Sequence, residues 1–510
     1  MRTQRLLSSL TWLLSPAALL LLWAVVAEAG IFPRNLLVPP AQVWRTFEDL
    51  SASGELLEHL LNSLSRLGLG FAIGSLSGLA FGVLMALSKN VQIYCSPLFH
   101  TLRQIPSIAL IPMFVLLFGI DETFKIIIVA KTAFFPVALA ASEGVKGIPR
   151  SYFEVADVYR LRWPTFVREI ALPAAAPPII TGFRISLTRA WVVLVATELL
   201  AADSGLGQMI EMSRQMLRID VVMVGVVVTG VIGFVLDFSF RQLEQRMFRW
   251  QTRWEPLMSR LFANSRGLLL PLLLIAAWEY LSRQGAAGAY AFVPLSAIGS
   301  ALIELLANGE LLVNLLASLA RTSTGLALGI FFGVLLGVLM ALSAVANRLI
   351  GPLFHSIRQV PMLGWIPLIT MWFGNGEFSK VLIVSLAAFY PMVLNTYQGF
   401  SHVEQRYREV GQVLVLSRWQ RFRHVLLPAA LPSIATGVLH ALAFAWVTAV
   451  GSELFLSSGA GLGNLMMNAE AGSRMEVIVL SVLCIGLCGY LMTLLFTLLS
   501  RHLLRWRNTR

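Results

Sequence analysis

Two arginines, Arg184 and Arg189, stand inside an apolar run that reads Ile-Thr-Gly-Phe-Arg-Ile-Ser-Leu-Thr-Arg-Ala-Trp. A guanidinium offers a planar fork of donors that matches planar or tetrahedral oxyanions. A charge within such a run is costly in hydrocarbon and marks a functional position by default. The chemistry on offer is therefore anion binding. Arg184 has a second reading, in which it lies near a membrane face and extends its head to the headgroups. His440 stands in the matching run further along the chain, and Lys131, inside another apolar run, is a weaker candidate. Catalysis finds no constellation. There is no His-Glu-x-x-His, no Gly-x-Ser-x-Gly and no Gly-x-x-x-x-Gly-Lys-Ser/Thr. The 7 histidines are scattered, and the 3 cysteines suggest neither a disulfide framework nor a metal site.

The elements that position these groups come in two copies. Sliding the chain by 255 residues lays Trp23 on Trp278, Leu98-Phe99-His100 on Leu353-Phe354-His355, Glu154 on Glu409 and Glu198 on Glu453. The register holds without a gap from about residue 23 to about 203, and between 98 and 119 the copies agree at 10 of 22 positions. A repeat of this size is a whole domain fused to its copy, not a solenoid unit. Arg184 and Arg189 fall on Leu439 and Phe444, so the two cations belong to one copy only.

Hydrophobic residues are 57% of the chain and charged residues 13%, against about 25% charged in soluble domains. Six apolar runs of membrane-crossing length are expected in each half: 11–30, 62–88, 92–119, 123–142, 174–202 and 221–240, then 267–284, 316–343, 349–373, 378–397, 429–456 and 475–500. The runs are continuous rather than alternating, which excludes barrel strands. The expected fold is an all-α polytopic membrane protein. Two tandem six-helix halves, 1–240 and 267–510, are joined by a basic linker, 241–266, and related by a pseudo-two-fold axis. The first run also has the form of a secretory signal, but its copy lies mid-chain, where no signal can be.

The net charge of +12 is placed for a membrane rather than for nucleic acid. Six arginines in the linker oppose Glu244 and Glu255, and further arginines stand at both termini. An even number of spans per half puts these three segments on one side, and their excess of positive charge marks it as cytoplasmic.

Each half then repeats three features. Gly74, Gly78 and Gly82, with Gly329, Gly333 and Gly337, line one helix face, either for close packing against another helix or as a conduit wall. Arg103-Gln104-Ile105-Pro106 and Arg358-Gln359-Val360-Pro361 open the third run, with Pro112 and Pro367 six residues on. Two prolines in one span predict a kink, either purely structural or beside a cavity where freed carbonyls find partners. Arg103, Arg358, Pro106 and Pro361 are therefore pathway candidates with Arg184, Arg189 and His440. The long polar loops 143–173 and 398–428 each carry one glutamate before apolar residues at helical spacing: Val155, Val158 and Leu161 after Glu154, and Val410, Val413 and Leu416 after Glu409. Such a helix is either a solvated surface element or a docking helix. Glu198 and Glu453, at the end of the fifth run away from these loops, either meet a partner outside or pair with a nearby cation.

The loops resemble the Glu-Ala-Ala loop of membrane permeases of type I ATP-binding-cassette importers, which have the MetI-like permease fold. Glu154, Val155, Ala156, Asp157 and Leu161 match it, as do Glu409, Val410, Gly411, Gln412 and Leu416, each followed by Leu-Pro at 172–173 and 427–428. The resemblance is strongest to the branch handling nitrate, taurine, aliphatic sulfonates, bicarbonate and thiamine-pyrimidine precursors. It rests there on 103–119 and 358–374, on Ala190-Trp191…Glu198-Leu199 and Ala445-Trp446…Glu453-Leu454, and on Gly-Leu-Gly at 205–207 and 461–463. The chain departs from the pattern where the loop glycine stands, with Arg160 and Val415 in its place. The resemblance implies that each loop docks into a cytoplasmic ATPase subunit, so that two such subunits carry the ATP and magnesium and this chain binds no cofactor. It also implies a periplasmic binding protein delivering a small anion, an organosulfonate, sulfate ester or nitrate, to a bacterial inner-membrane pore made by one copy of this chain. An ion-coupled secondary transporter of two six-span halves is the alternative.

Overall fold

The computed structural model describes residues 17–29 apart from 19, 37–247, 269–283, 293–403, 409, 413–456 and 458–503. Most of the basic linker, the start of the first expected span, and Val410, Gly411 and Gln412 lie outside them.

The first half comprises α1 (residues 17–28 apart from 19), α2 (Pro40–Ala52), α3 (Glu55–Leu87), α4 (Lys89–Gln104), α5 (Ile111–Phe118), α6 (Glu122–Lys146), α7 (Arg150–Val158), α8 (Leu172–Leu200), α9 (Leu206–Gln215) and α10 (Ile219–Met247). The second comprises α11 (Leu269–Arg283), α12 (Leu295–Ala307), α13 (Glu310–Leu342), α14 (Ala344–Ile357), α15 (Ile366–Phe373), α16 (Glu377–Ser401), α17 (Leu427–Phe455), α18 (Leu462–Ala471) and α19 (Met475–Leu503). The long helices recur with identical lengths. Among the described residues α3, α6, α8, α10, α13, α16, α17 and α19 are long and apolar enough to cross a membrane.

The third expected span of each half is not one kinked helix. Ile105, which precedes Pro106, is extended at φ −73°, ψ 117°, as steric conflict with a following proline demands. Here α4 stops, a 3₁₀ turn (Ile108–Leu110) follows, and α5 leaves at 86° to α4. In the second half, α14, a 3₁₀ turn (Met362–Trp365) and α15 repeat the break at Pro361. Pro112 and Pro367 begin their helices, where a missing N–H costs nothing.

The broken segments cross between the halves. α5 packs on α18 and α19, and α15 packs on α9 and α10. Ile108, Ala109, Leu110 and Ile111 share one buried core with Leu363, Ile366, Trp446 and Leu454. The glycine faces lie between α3 and α6 and between α13 and α16: a Cβ on Gly78 would come 2.6 Å from the Phe134 carbonyl oxygen, and one on Gly333 2.5 Å from the Met392 Cβ. Close approach of this kind is how helices gain packing energy in lipid. Trp191 donates to the Thr229 carbonyl at 3.1 Å and Trp446 to that of Ile485 at 3.0 Å, tying each fifth span to the last span of its half.

Candidate functional site: coupling loops, central cations and twin ion-pair latches

At one end of the bundle, α7 carries Glu154, Val155 and Asp157 on its exposed surface and buries Ala156. The helix stops at Val158 because Arg160 turns left-handed, φ 47°. Arg160 N–H then donates to the Asp157 carbonyl at 3.1 Å and Leu161 N–H to that of Ala156 at 2.9 Å, the double bond of a Schellman cap. Leu161 therefore lies beyond the helix. The expected helical face of Val155, Val158 and Leu161 is corrected to Val155 and Val158, with Tyr159 beside them. In the second loop Val415 has φ 50°, and Leu416 again follows the turn. The left-handed turn gives a physical reason for the glycine that the resemblance expects at these two positions. A residue with a Cβ pays about 1–2 kcal/mol there, and a β-branched one most. Val415→Gly should therefore raise stability by about 1 kcal/mol and Arg160→Gly by less, read as thermal unfolding midpoints.

The central candidates do not share one environment. Arg184 pairs with Glu244 at 3.4 Å, while Thr181 Oγ1 donates to the same carboxylate at 2.6 Å. Its charge is answered from α10. Arg189 lies one and a half turns further along α8 and has no hydrogen-bond or ion-pair partner among the described residues. Its electrostatic neighbours include Arg103 from α4, and Arg189 in turn is a neighbour of His440 on α17. Glu143 is the acid nearest in effect to Arg103. Arg358 instead faces Asp237, itself bound to Arg241 at 3.0 Å. Arg103 and Arg189 thus gather positive charge in the first half, beside His440 of the second. Pro106 and Pro361 lie at the two breaks and set the direction of the helix ends bearing Arg103 and Arg358.

At the opposite end, each half has a latch that the sequence disclosed only through Glu198 and Glu453. Glu198, with its side chain fully buried, receives Arg66 at 2.8 Å, the Ser63 hydroxyl at 2.8 Å and the Gly207 N–H at 3.1 Å. Arg66 also binds both oxygens of Glu122, each at 2.6 Å, and donates to the Ser204 carbonyl. Ser63 Oγ accepts from Leu206 N–H and His59 Nδ1 from Gly205 N–H. The second copy joins Arg321 to Glu377 and Glu453, with Ser318 and Gly463 N–H on Glu453 and Asn314 holding Gly461 N–H. Of the two readings left open for the glutamates, the structure gives the ion pair. The signal was present in the repeat, since Ser63, Arg66 and Glu122 fall on Ser318, Arg321 and Glu377, but charges on long apolar helices do not disclose which helix they face.

Two long stretches of the chain, residues 78–249 and 329–508, match the model of the binding-protein-dependent transport system inner membrane component. The chain belongs to that family. Three relatives each align with less than half of the chain. A putative aliphatic sulfonates transport permease of Bacillus subtilis is 38% identical over 243 residues, covering 48% of this chain and 88% of the relative. The taurine transport system permease of Escherichia coli is 34% identical over 239 residues, 46% of this chain and 87% of the relative. A bicarbonate transport system permease of Synechococcus elongatus is 31% identical over 193 residues, 38% of this chain and 66% of the relative. The chain is accordingly a fused tandem permease, the multi-pass membrane component of an ATP-binding-cassette importer. Such importers work with ATPase subunits and a binding protein.

Proposed function

We propose that one copy of this chain forms the complete pathway for a small oxyanion across a bacterial inner membrane, with both termini cytoplasmic. The α7 loop and its copy face two ATPase subunits, which carry the ATP and magnesium, and this chain binds no cofactor. The latch end faces a periplasmic binding protein. The observation that carries the anion reading is the gathering of Arg103 and Arg189 beside His440 of the second half, with Arg189 unpaired among the described residues. An unpaired guanidinium in a low-dielectric passage lowers the barrier for an anion and offers it a fork of donors. Arg184 takes no part, because Glu244 already answers it. An organosulfonate or sulfate ester fits best and nitrate next, in keeping with relatives named for sulfonates, taurine and bicarbonate.

The test is ATP-driven uptake in proteoliposomes holding the chain, its ATPase subunits and its binding protein, with taurine, methanesulfonate and nitrate as probes. Arg189→Ala should cut the rate by about tenfold or more, the loss of one charge-assisted contact, while leaving ATPase assembly intact. Wild-type uptake by that variant would remove the anion role. Uptake by the chain alone down an ion gradient would restore the secondary-transporter alternative.

A further inference from the structure

The two helix breaks are built alike and held differently. At the first break the Ile105 carbonyl loses its helical partner, since the following N–H groups donate elsewhere, Ala109 to Pro106 and Leu110 to Ser107. Lys131 on α6 takes that carbonyl: its Nζ donates to Ile105 O at 2.6 Å and reaches Ser107 Oγ at 3.3 Å, with the Phe135 ring 5.6 Å away. At the second break the residue in Lys131's register is Leu386, which packs against the apolar core. Ser107's register is held by Met362 and offers no hydroxyl.

Each of the arginines ahead of a break has one acid and one like charge as electrostatic neighbours. For Arg358 these are Asp237 and Arg241 across the halves, which pair with each other at 3.0 Å. For Arg103 they are Glu143 and Arg189 of its own half. The like charge of Arg189 pushes the end of α4 away when no anion lies between them.

We infer that Lys131 is a positioning residue, which ties the first break to α6 and so holds Arg103 beside Arg189 against their repulsion. The first half is then the fixed wall of the anion site, and the second break, with no side-chain tie to its carbonyl among the described residues, is the freer of the two. This rests on the anion reading above for its consequence in transport, but not for the tie itself.

The experiment uses the full complex in nanodiscs and reads backbone hydrogen exchange of 105–111 and 360–366. Lys131→Met should speed exchange at 105–111 by about tenfold and leave 360–366 as it was, and Lys131→Arg, which keeps a donor, should restore most of the protection. Turnover with taurine, methanesulfonate and nitrate should fall about tenfold in the Met variant, with the half-saturating concentration of binding protein unchanged. If Lys131→Met is not recovered from membranes, adding Arg189→Leu removes the repulsion and should restore recovery; failure of both variants overturns the inference. Unchanged exchange overturns the tie. Changed exchange with wild-type turnover overturns its positioning role. A wild-type complex that moves none of the probes overturns the anion reading and leaves the tie standing.

Discussion

Arg66→Met should lower the stability of the first half by about 3–5 kcal/mol, the usual result of stripping one partner from a buried ion pair. The Glu198 carboxylate is out of contact with solvent, and among the described residues Arg66 is the one cation paired with it, at 2.8 Å. Its remaining donors, Ser63 and Gly207 N–H, are dipoles and do not cancel the charge. The substitution also frees the Ser204 carbonyl and leaves Glu122 with Lys125 alone, at 3.1 Å. Because the network ties α3, α6, α8 and the turn into α9, the loss should spread through that end of the bundle. Adding Glu198→Leu should recover only part of the stability, since Gly207 N–H and the Ser63 hydroxyl are then left without their acceptor. Arg321→Met should behave alike in the second half, where Lys380 spends its amine on the Ser458 carbonyl. Thermal or denaturant unfolding in detergent measures the effect. A loss below about 1 kcal/mol would place the pair with exposed salt bridges and sink the argument.

What the chain disclosed in advance follows from the kind of information each feature carries. Membrane class, the long helices and the duplication are properties of runs, so hydropathy and register sufficed. The glycine faces were visible because small residues four apart admit few uses in lipid. Pro106 and Pro361 predict a kink and not a right-angle break, because the turn that lets α5 and α15 cross into the opposite half depends on contacts far away in the chain. Glu198 and Glu453 stand out in the sequence as recurring acids, while Arg66 and Arg321, equally recurrent, lie inside helices whose runs are apolar. Pairing across 56 and 132 residues is tertiary information that no local spacing holds. The division among the arginines, with Arg184 answered by Glu244 and Arg189 unanswered, is of the same kind, since the two lie five residues apart in one helix and differ only in what α10 presents to them.

On the docking proposed above, the α7 loop and its copy should lose their ATPase subunits by different routes. The first presents Val158 at 79% and Tyr159 at 74% exposure, set among Glu154, Asp157, Arg160 and Arg162. The second presents Val413 at 81%, Leu414 at 62% and Val415 at 86%, with Trp419 nearby and Arg160's register taken by an apolar residue. Large exposed aliphatic and aromatic groups are costly in water and become the dominant contacts of a small interface. A charge planted among them must be desolvated on docking, so Val158→Asp and Val413→Asp should each weaken binding by about 2 kcal/mol or more, roughly thirtyfold, and stop ATP-driven uptake. Charge reversal should separate the loops. Glu154→Lys acts within a cluster of charges, so its effect should be large at low ionic strength and fade as salt shortens the screening length to about 8 Å. Glu409→Lys stands beside an apolar patch that carries most of its own affinity, so its effect should be smaller and nearly independent of salt. Titrating purified ATPase subunit onto the permease in nanodiscs, at low and physiological salt, measures both. The same salt-sensitive loss from either reversal would mean that the loops dock through the same contacts, and that the residues exchanged at Arg160 and Val415 do not reach the partner.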